Sequence, residues 1–96
     1  MNNTINTVEL PYCKNIMETL VIDEVNRCIN NLDMCTCPTC RNDLIALTLN
    51  ALPPKYVNTE KGAALSKVQR LSVDFQAQVI TGIASAAEIV KKYPRH

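Results

Sequence analysis

Three of the five cysteines fall within six residues, Cys35-Thr36-Cys37-Pro38-Thr39-Cys40, and this crowding constrains the chain more than any other feature. Thiolates at C-x-C-x2-C spacing converge on one tetrahedral ion without a long ordered loop. A Cys-Pro-x-Cys turn also points its sulfurs inward and leaves backbone amides to hydrogen-bond to them. The favoured reading is one structural zinc ion per chain. A thiol redox centre is the competing one, because a C-P-x-C motif at a helix start exposes a nucleophile of lowered pKa. That chemistry calls for a strand before the motif and a βαβ setting. Here a helical pattern precedes it, and Cys35 would be superfluous to a two-cysteine centre. An odd cysteine count, without a basic and apolar leader at the N-terminus, argues for reduced thiols in a cytoplasmic protein rather than a secreted disulfide framework.

A closed zinc site needs four protein ligands, and the cluster supplies Cys35, Cys37 and Cys40. The fourth has two main candidates. Cys28 is near in sequence but lies on an apolar stripe with Val21, Val25 and Leu32, where a small buried thiol is the ordinary expectation. His96 is the single histidine and lies beyond a helix break at Pro94. With His96, the site would tie the end of the last helix to the loop between the first two. Cys13, some four turns back along the first helix, could reach the cluster only from another chain or by an unusual path.

A chain of 96 residues makes one small domain, and a core of that size gains from a metal, a cross-link or a partner chain. Residues 1–12 read as a flexible N-terminal arm, with an extended piece at 7–10, and residues 13–96 as the domain. Apolar spacings of three and four from Lys14 to Leu32 predict an amphipathic helix of about five turns. A second helix is expected from Arg41 to Ala51, capped by Thr39 and stopped by Pro53-Pro54. Tyr56-Val57 followed by Asn58 and Gly62 suggests a short β hairpin or an extended segment. Ser66-Lys67-Val68-Gln69 has capping-box form and predicts a last helix running to Pro94, roughly 40 Å at ~1.5 Å per residue. The fold class is therefore mainly α, a small three-helix domain stapled by zinc. The last helix is too long for one chain to cover, and Gly82, Ala84, Ser85, Ala86 and Ala87 would let another backbone approach. A homodimer is the expected assembly.

Net charge is +1, yet seven of the ten basic side chains lie after Pro54, against three of the nine acids. This bias is too mild for duplex DNA binding, which takes a dense basic stripe, but it leaves room for a localised anion site. No run approaches the ~18 apolar residues of a membrane span. No catalytic triad, phosphate-cradling glycine loop or paired-carboxylate motif is present, so the chain reads as a binding protein, not an enzyme. Lys55, Tyr56, Lys67 and Arg70 combine cations with a flat ring, a set suited to a phosphorylated, base-containing ligand. In the plainer reading, Lys67 and Arg70 are solvated and Tyr56 closes the core beneath the Pro-Pro turn.

The run M-C-T-C-P-T-C-R-N-D-L-I-A-L-T-L-N, then L-P-P-K-Y-V, then a long Ala-rich helix closing in Y-P-R-H resembles the late competence development protein ComFB family over residues 14–96. The resemblance implies a zinc-binding, mainly helical homodimer in which Cys35, Cys37 and Cys40 match the family's metal-site cysteines. Its recurrent P-R-H close favours His96 over Cys28 as fourth ligand, and Cys13 and Cys28 fall outside the pattern. Members are regarded as receptors for cyclic dinucleotide messengers and are associated with DNA-uptake genes. The resemblance thus implies a regulatory module binding cyclic di-GMP or cyclic di-AMP and signalling to an unidentified protein partner. The alternative is an adaptor of the competence machinery that binds only protein.

Overall fold

The computed structural model describes residues 13–62, 64 and 72–96. In chain order these form β1 (Lys14–Asn15), α1 (Ile16–Cys28), a 3-10 turn (Ile29–Asn31), α2 (Pro38–Ala51), β2 (Tyr56–Val57) and α3 (Val73–Lys92). The arm at 1–12, with its extended piece, lies outside the described residues.

Asn15 starts α1, its side-chain oxygen accepting the Met17 N–H at 3.2 Å. The regular helix ends at Cys28 and tightens into the 3-10 turn, instead of running on to Leu32 as its periodicity predicts. Two asparagines in that turn compete with helical bonding, and Asp33 beyond it sits in the left-handed region at φ 52°. Helix α2 begins at Pro38, three residues before the expected start, and its cap is Cys37 rather than Thr39. Proline at the first helical position loses only an N–H that would have no intrahelical partner. Beyond Ala51 the backbone turns extended at Leu52, ahead of the two prolines.

Helix α3 starts at Val73, where the Ser72 hydroxyl accepts the Phe75 N–H at 3.2 Å. The extended backbone of Ser72 breaks any helical run into α3, so the helix entered at Ser66 is corrected to one of 20 residues, ~30 Å long. Ser66 to Gln69 themselves lie outside the described residues. Tyr56-Val57 does not form a local hairpin. It pairs antiparallel with the strand before α1, Lys14 opposite Val57 and Asn15 opposite Tyr56, while residues 60–62 are helical. The Asn15 side-chain oxygen also accepts the Lys55 N–H at 2.9 Å, and the Ile16 N–H donates to the Lys55 carbonyl at 2.8 Å.

Helix α2 packs against both α1 and α3. Val21, Val25, Leu44 and Ile83 are sealed from solvent in the core, along with Thr48, whose hydroxyl donates to the Leu44 carbonyl one turn back at 2.7 Å. The small residues of α3 are largely used within the chain. Ala86 and Ala87 are buried, and Gly82 faces the Leu52 side chain, so close that a Cβ there would stand 3.4 Å from it. Of the five expected to admit a second backbone, Ala84 and Ser85 are left exposed. No helix among the described residues is long and apolar enough to cross a membrane.

Candidate metal centre

The chain leaves the 3-10 turn through Asp33 and reaches the cysteine loop, which α2 closes. Cys37 is both a loop thiol and the cap of that helix, its Sγ accepting the Cys40 N–H at 3.4 Å. The next backbone bond runs from the Arg41 N–H to the Cys37 carbonyl at 2.9 Å. Capping therefore turns the Cys37 sulfur toward the first turn of α2, where Cys40 lies with only 1 % of its surface exposed. Beyond α3, His96 comes back across the start of α2 and places Nε2 3.1 Å from Cys40 Sγ.

The sulfurs of Cys35, Cys37 and Cys40 and a ring nitrogen of His96 all lie within 4.8 Å of one another. A zinc tetrahedron with Zn–S near 2.3 Å and Zn–N near 2.0 Å has edges of roughly 3.5–3.8 Å, so the widest donor pairs would close by up to about 1 Å while the Cys40–His96 pair opens by a few tenths. Three soft sulfurs with one imidazole are a donor set suited to zinc. Electrostatics agree with a cation here. The Cys40 N–H bond, aided by Cys35, holds the Cys37 thiol below its ordinary range. Burial, reinforced by the Cys37 and Cys35 thiols, pushes Cys40 up to about 12. A buried sulfur that resists ionisation by itself becomes a thiolate once a divalent cation supplies the missing positive charge.

Cys28 is not in the converging group. It is half-buried against the core, and its thiol is pushed up by that burial and by the Glu24 carboxylate. Cys13 is exposed near the start of β1, and none of the five cysteines is in a disulfide. Of the anion-site candidates, Lys55 and Tyr56 sit where the chain enters β2. Tyr56 is 66 % exposed, so it does not close the core. Lys67 and Arg70 lie outside the described residues. Asp43 and Arg95, which fall in the R-N-D and P-R-H runs but to which the sequence reading assigns no role, meet in a bidentate ion pair that draws the segment after α3 onto α2.

A family model described as late competence development protein ComFB matches residues 14–94. The chain belongs to the ComFB family. It is 31 % identical over 81 residues to the competence protein ComFB of Bacillus subtilis (strain 168), covering 83 % of each chain. The solved structure of the late competence protein ComFB from Bacillus subtilis superposes with a TM-score of 0.74 at 30 % identity, over 85 % of this chain and 93 % of that one. The family match thus embraces the thiol cluster and α2 and ends at Pro94, just short of Arg95 and His96.

Proposed function

We propose that this ComFB-family chain is a non-enzymatic regulatory binding protein, a homodimer with one structural zinc per chain, that senses a cyclic dinucleotide and passes the signal to a protein partner. The convergence of Cys35, Cys37, Cys40 and His96 carries the zinc reading. Four protein donors leave no open position for a substrate or an activated water, which favours a structural ion over a catalytic one. Homodimerisation is supported by a second stripe on α3 beside its core-facing side, made by Val73, Ala77, Ile80 and Ala84, all exposed. The nucleotide reading draws on the family resemblance and on the exposed ring of Tyr56 next to Lys55, a pairing able to stack a base and attract a phosphate. Two-fold symmetry suits a nearly symmetric ligand with two phosphates.

Native mass spectrometry with and without cyclic di-GMP and cyclic di-AMP tests all three elements in one spectrum. A dimer with two zinc ions that gains one or two nucleotides is expected, and Tyr56→Ala should weaken the uptake. A zinc-loaded dimer that ignores both nucleotides would overturn the receptor reading in favour of the protein adaptor. That second reading has its own support in the large apolar side chains Ile80, Ile89 and Tyr93 exposed along and just beyond α3.

A further inference from the structure

Helix α3 ends at Lys92, and little backbone structure holds the last four residues. The Tyr93 N–H returns to the Ile89 carbonyl at 3.0 Å, Pro94 has no N–H to give, and residues 94–96 make no further backbone bond among the described residues. His96 nonetheless lies against Cys40 Sγ. The tie is made by the residue before it. Arg95 Nε and Nη2 donate to the two carboxylate oxygens of Asp43 at 2.8 and 2.7 Å. A guanidinium fork on a carboxylate fixes direction and plane as well as distance. Asp43 stands three residues after Cys40, so the two are neighbours on the surface of α2. Consecutive residues beyond α3 thus grip side chains one helical turn apart on α2. The pair spans the rim of a cleft lined by Leu47 of α2 and by Val90 and Tyr93 at the end of α3.

We propose that the Arg95–Asp43 pair is a latch that positions His96 against the thiol cluster, so that the metal affinity of the site is set in part by two residues that touch none of its donor atoms. The proposal rests on the zinc reading above. Its physical basis is pre-organisation. Without the latch, His96 must be found by a loose segment each time the ion binds, and that ordering cost is taken from the affinity. With it, the imidazole waits within reach of three sulfurs. An ion pair whose arginine is open to solvent adds modestly to global stability, so the loss on breaking it falls mainly on the placement of His96 rather than on the fold. Linkage requires the converse, that metal binding tighten the latch by the same factor.

The test uses the full chain loaded with zinc or cobalt, and the variants Asp43→Asn, Arg95→Gln and His96→Ala. Asp43→Asn and Arg95→Gln should keep the wild-type circular dichroism, while chelator competition shows zinc bound about 10–100-fold more weakly, the usual effect of removing a group that orients a metal ligand. The cobalt absorption bands should move toward those of His96→Ala. Exchanging the pair, Asp43→Arg with Arg95→Asp, should restore part of the affinity. Wild-type affinity and an unchanged cobalt spectrum in Asp43→Asn would overturn the latch. Should the wild-type chain take up neither ion, the zinc reading fails, and the latch is decided by nuclear Overhauser contacts between the His96 ring and the Cys40 β-protons in the reduced, metal-free chain. Contacts present in the wild type and lost in Asp43→Asn sustain it, and any other pattern overturns it.

Discussion

Asn15 shows how much a single side chain can carry in a small domain. Its amide oxygen accepts the Met17 N–H at the start of α1 and the Lys55 N–H at the start of β2, 40 residues away. Asn15→Ala removes a helix cap and a tertiary tie together and is expected to cost ~1–2 kcal/mol, read from the shift of the urea midpoint at constant slope. Asp43 offers a second measurement at this scale. The Arg95 guanidinium holds its carboxyl below the ordinary range, so the carboxylate is favoured in the folded chain. A group lowered in this way contributes its stability above the unfolded-state value of about 3.9, and that contribution fades as pH falls through the lower folded value. A carbon-13 titration of the Asp43 carboxyl should therefore have its midpoint below about 3.9. A midpoint at or above that value would mean that the pair does not form in solution. Protons compete with zinc for its thiolate and imidazole donors, which are stronger bases than a carboxylate, so acidification should release the proposed zinc before it opens the Arg95–Asp43 pair.

Among the elements, α3 carries two apolar surfaces, one packed in the core and one exposed. Ile83 is 1 % exposed and packs in the core, whereas Ile80, less than a turn before it, is 55 % exposed. Truncating the first should damage the fold and charging the second should damage the proposed dimer. Ile83→Ala leaves a cavity in close-packed surroundings and is expected to cost ~2–5 kcal/mol. Ile80→Asp buries nothing in one chain, but in a dimer joined along this stripe it places like charges without partners in an apolar contact. Sedimentation velocity should find Ile80→Asp monomeric with its helical circular dichroism intact. If wild type and variant both sediment as dimers, the dimer uses another face, and if both are monomers, the homodimer reading fails.

For the whole molecule, the proposed zinc joins residues 56 positions apart in the chain, Cys40 and His96, and so closes most of the domain into one loop. An ion that binds the folded state alone stabilises it by about 2.7 kcal/mol at a free concentration 100 times its Kd. Chelation under reducing conditions should lower the melting temperature, and the melting temperature of the loaded protein should climb with the logarithm of free zinc. Cys35→Ser should abolish that dependence while Cys13→Ser leaves it unchanged. The contrast separates the convergent thiol from one that is merely exposed, since both are open to solvent.

The local order of the chain was legible from residues alone, because helices, stops and the cysteine loop depend on neighbours. The stripe Met17, Leu20, Val21 and Val25 gave away α1, and Pro53-Pro54 the end of α2. Cys35, Cys37 and Cys40 were legible as a cluster because their spacing already forces their sulfurs together. Helix starts were harder where two caps competed within a few residues, as Thr39 did with Cys37, which caps α2 with Pro38 as its first residue. Three matters belonged to the tertiary structure, all of them meetings of residues distant in sequence. Spacing left His96 and Cys28 as rivals, and the path beyond α3 brings the imidazole to the thiols while Cys28 stays against the core. Pattern alone read Tyr56-Val57 as a short hairpin or an extended segment; the segment is extended, and its partner is the strand before α1. Asp43 and Arg95 are ordinary surface charges one at a time. Only the packing of α3 on α2 makes them a pair, because a hydrogen bond across 52 residues leaves no periodic trace in the sequence.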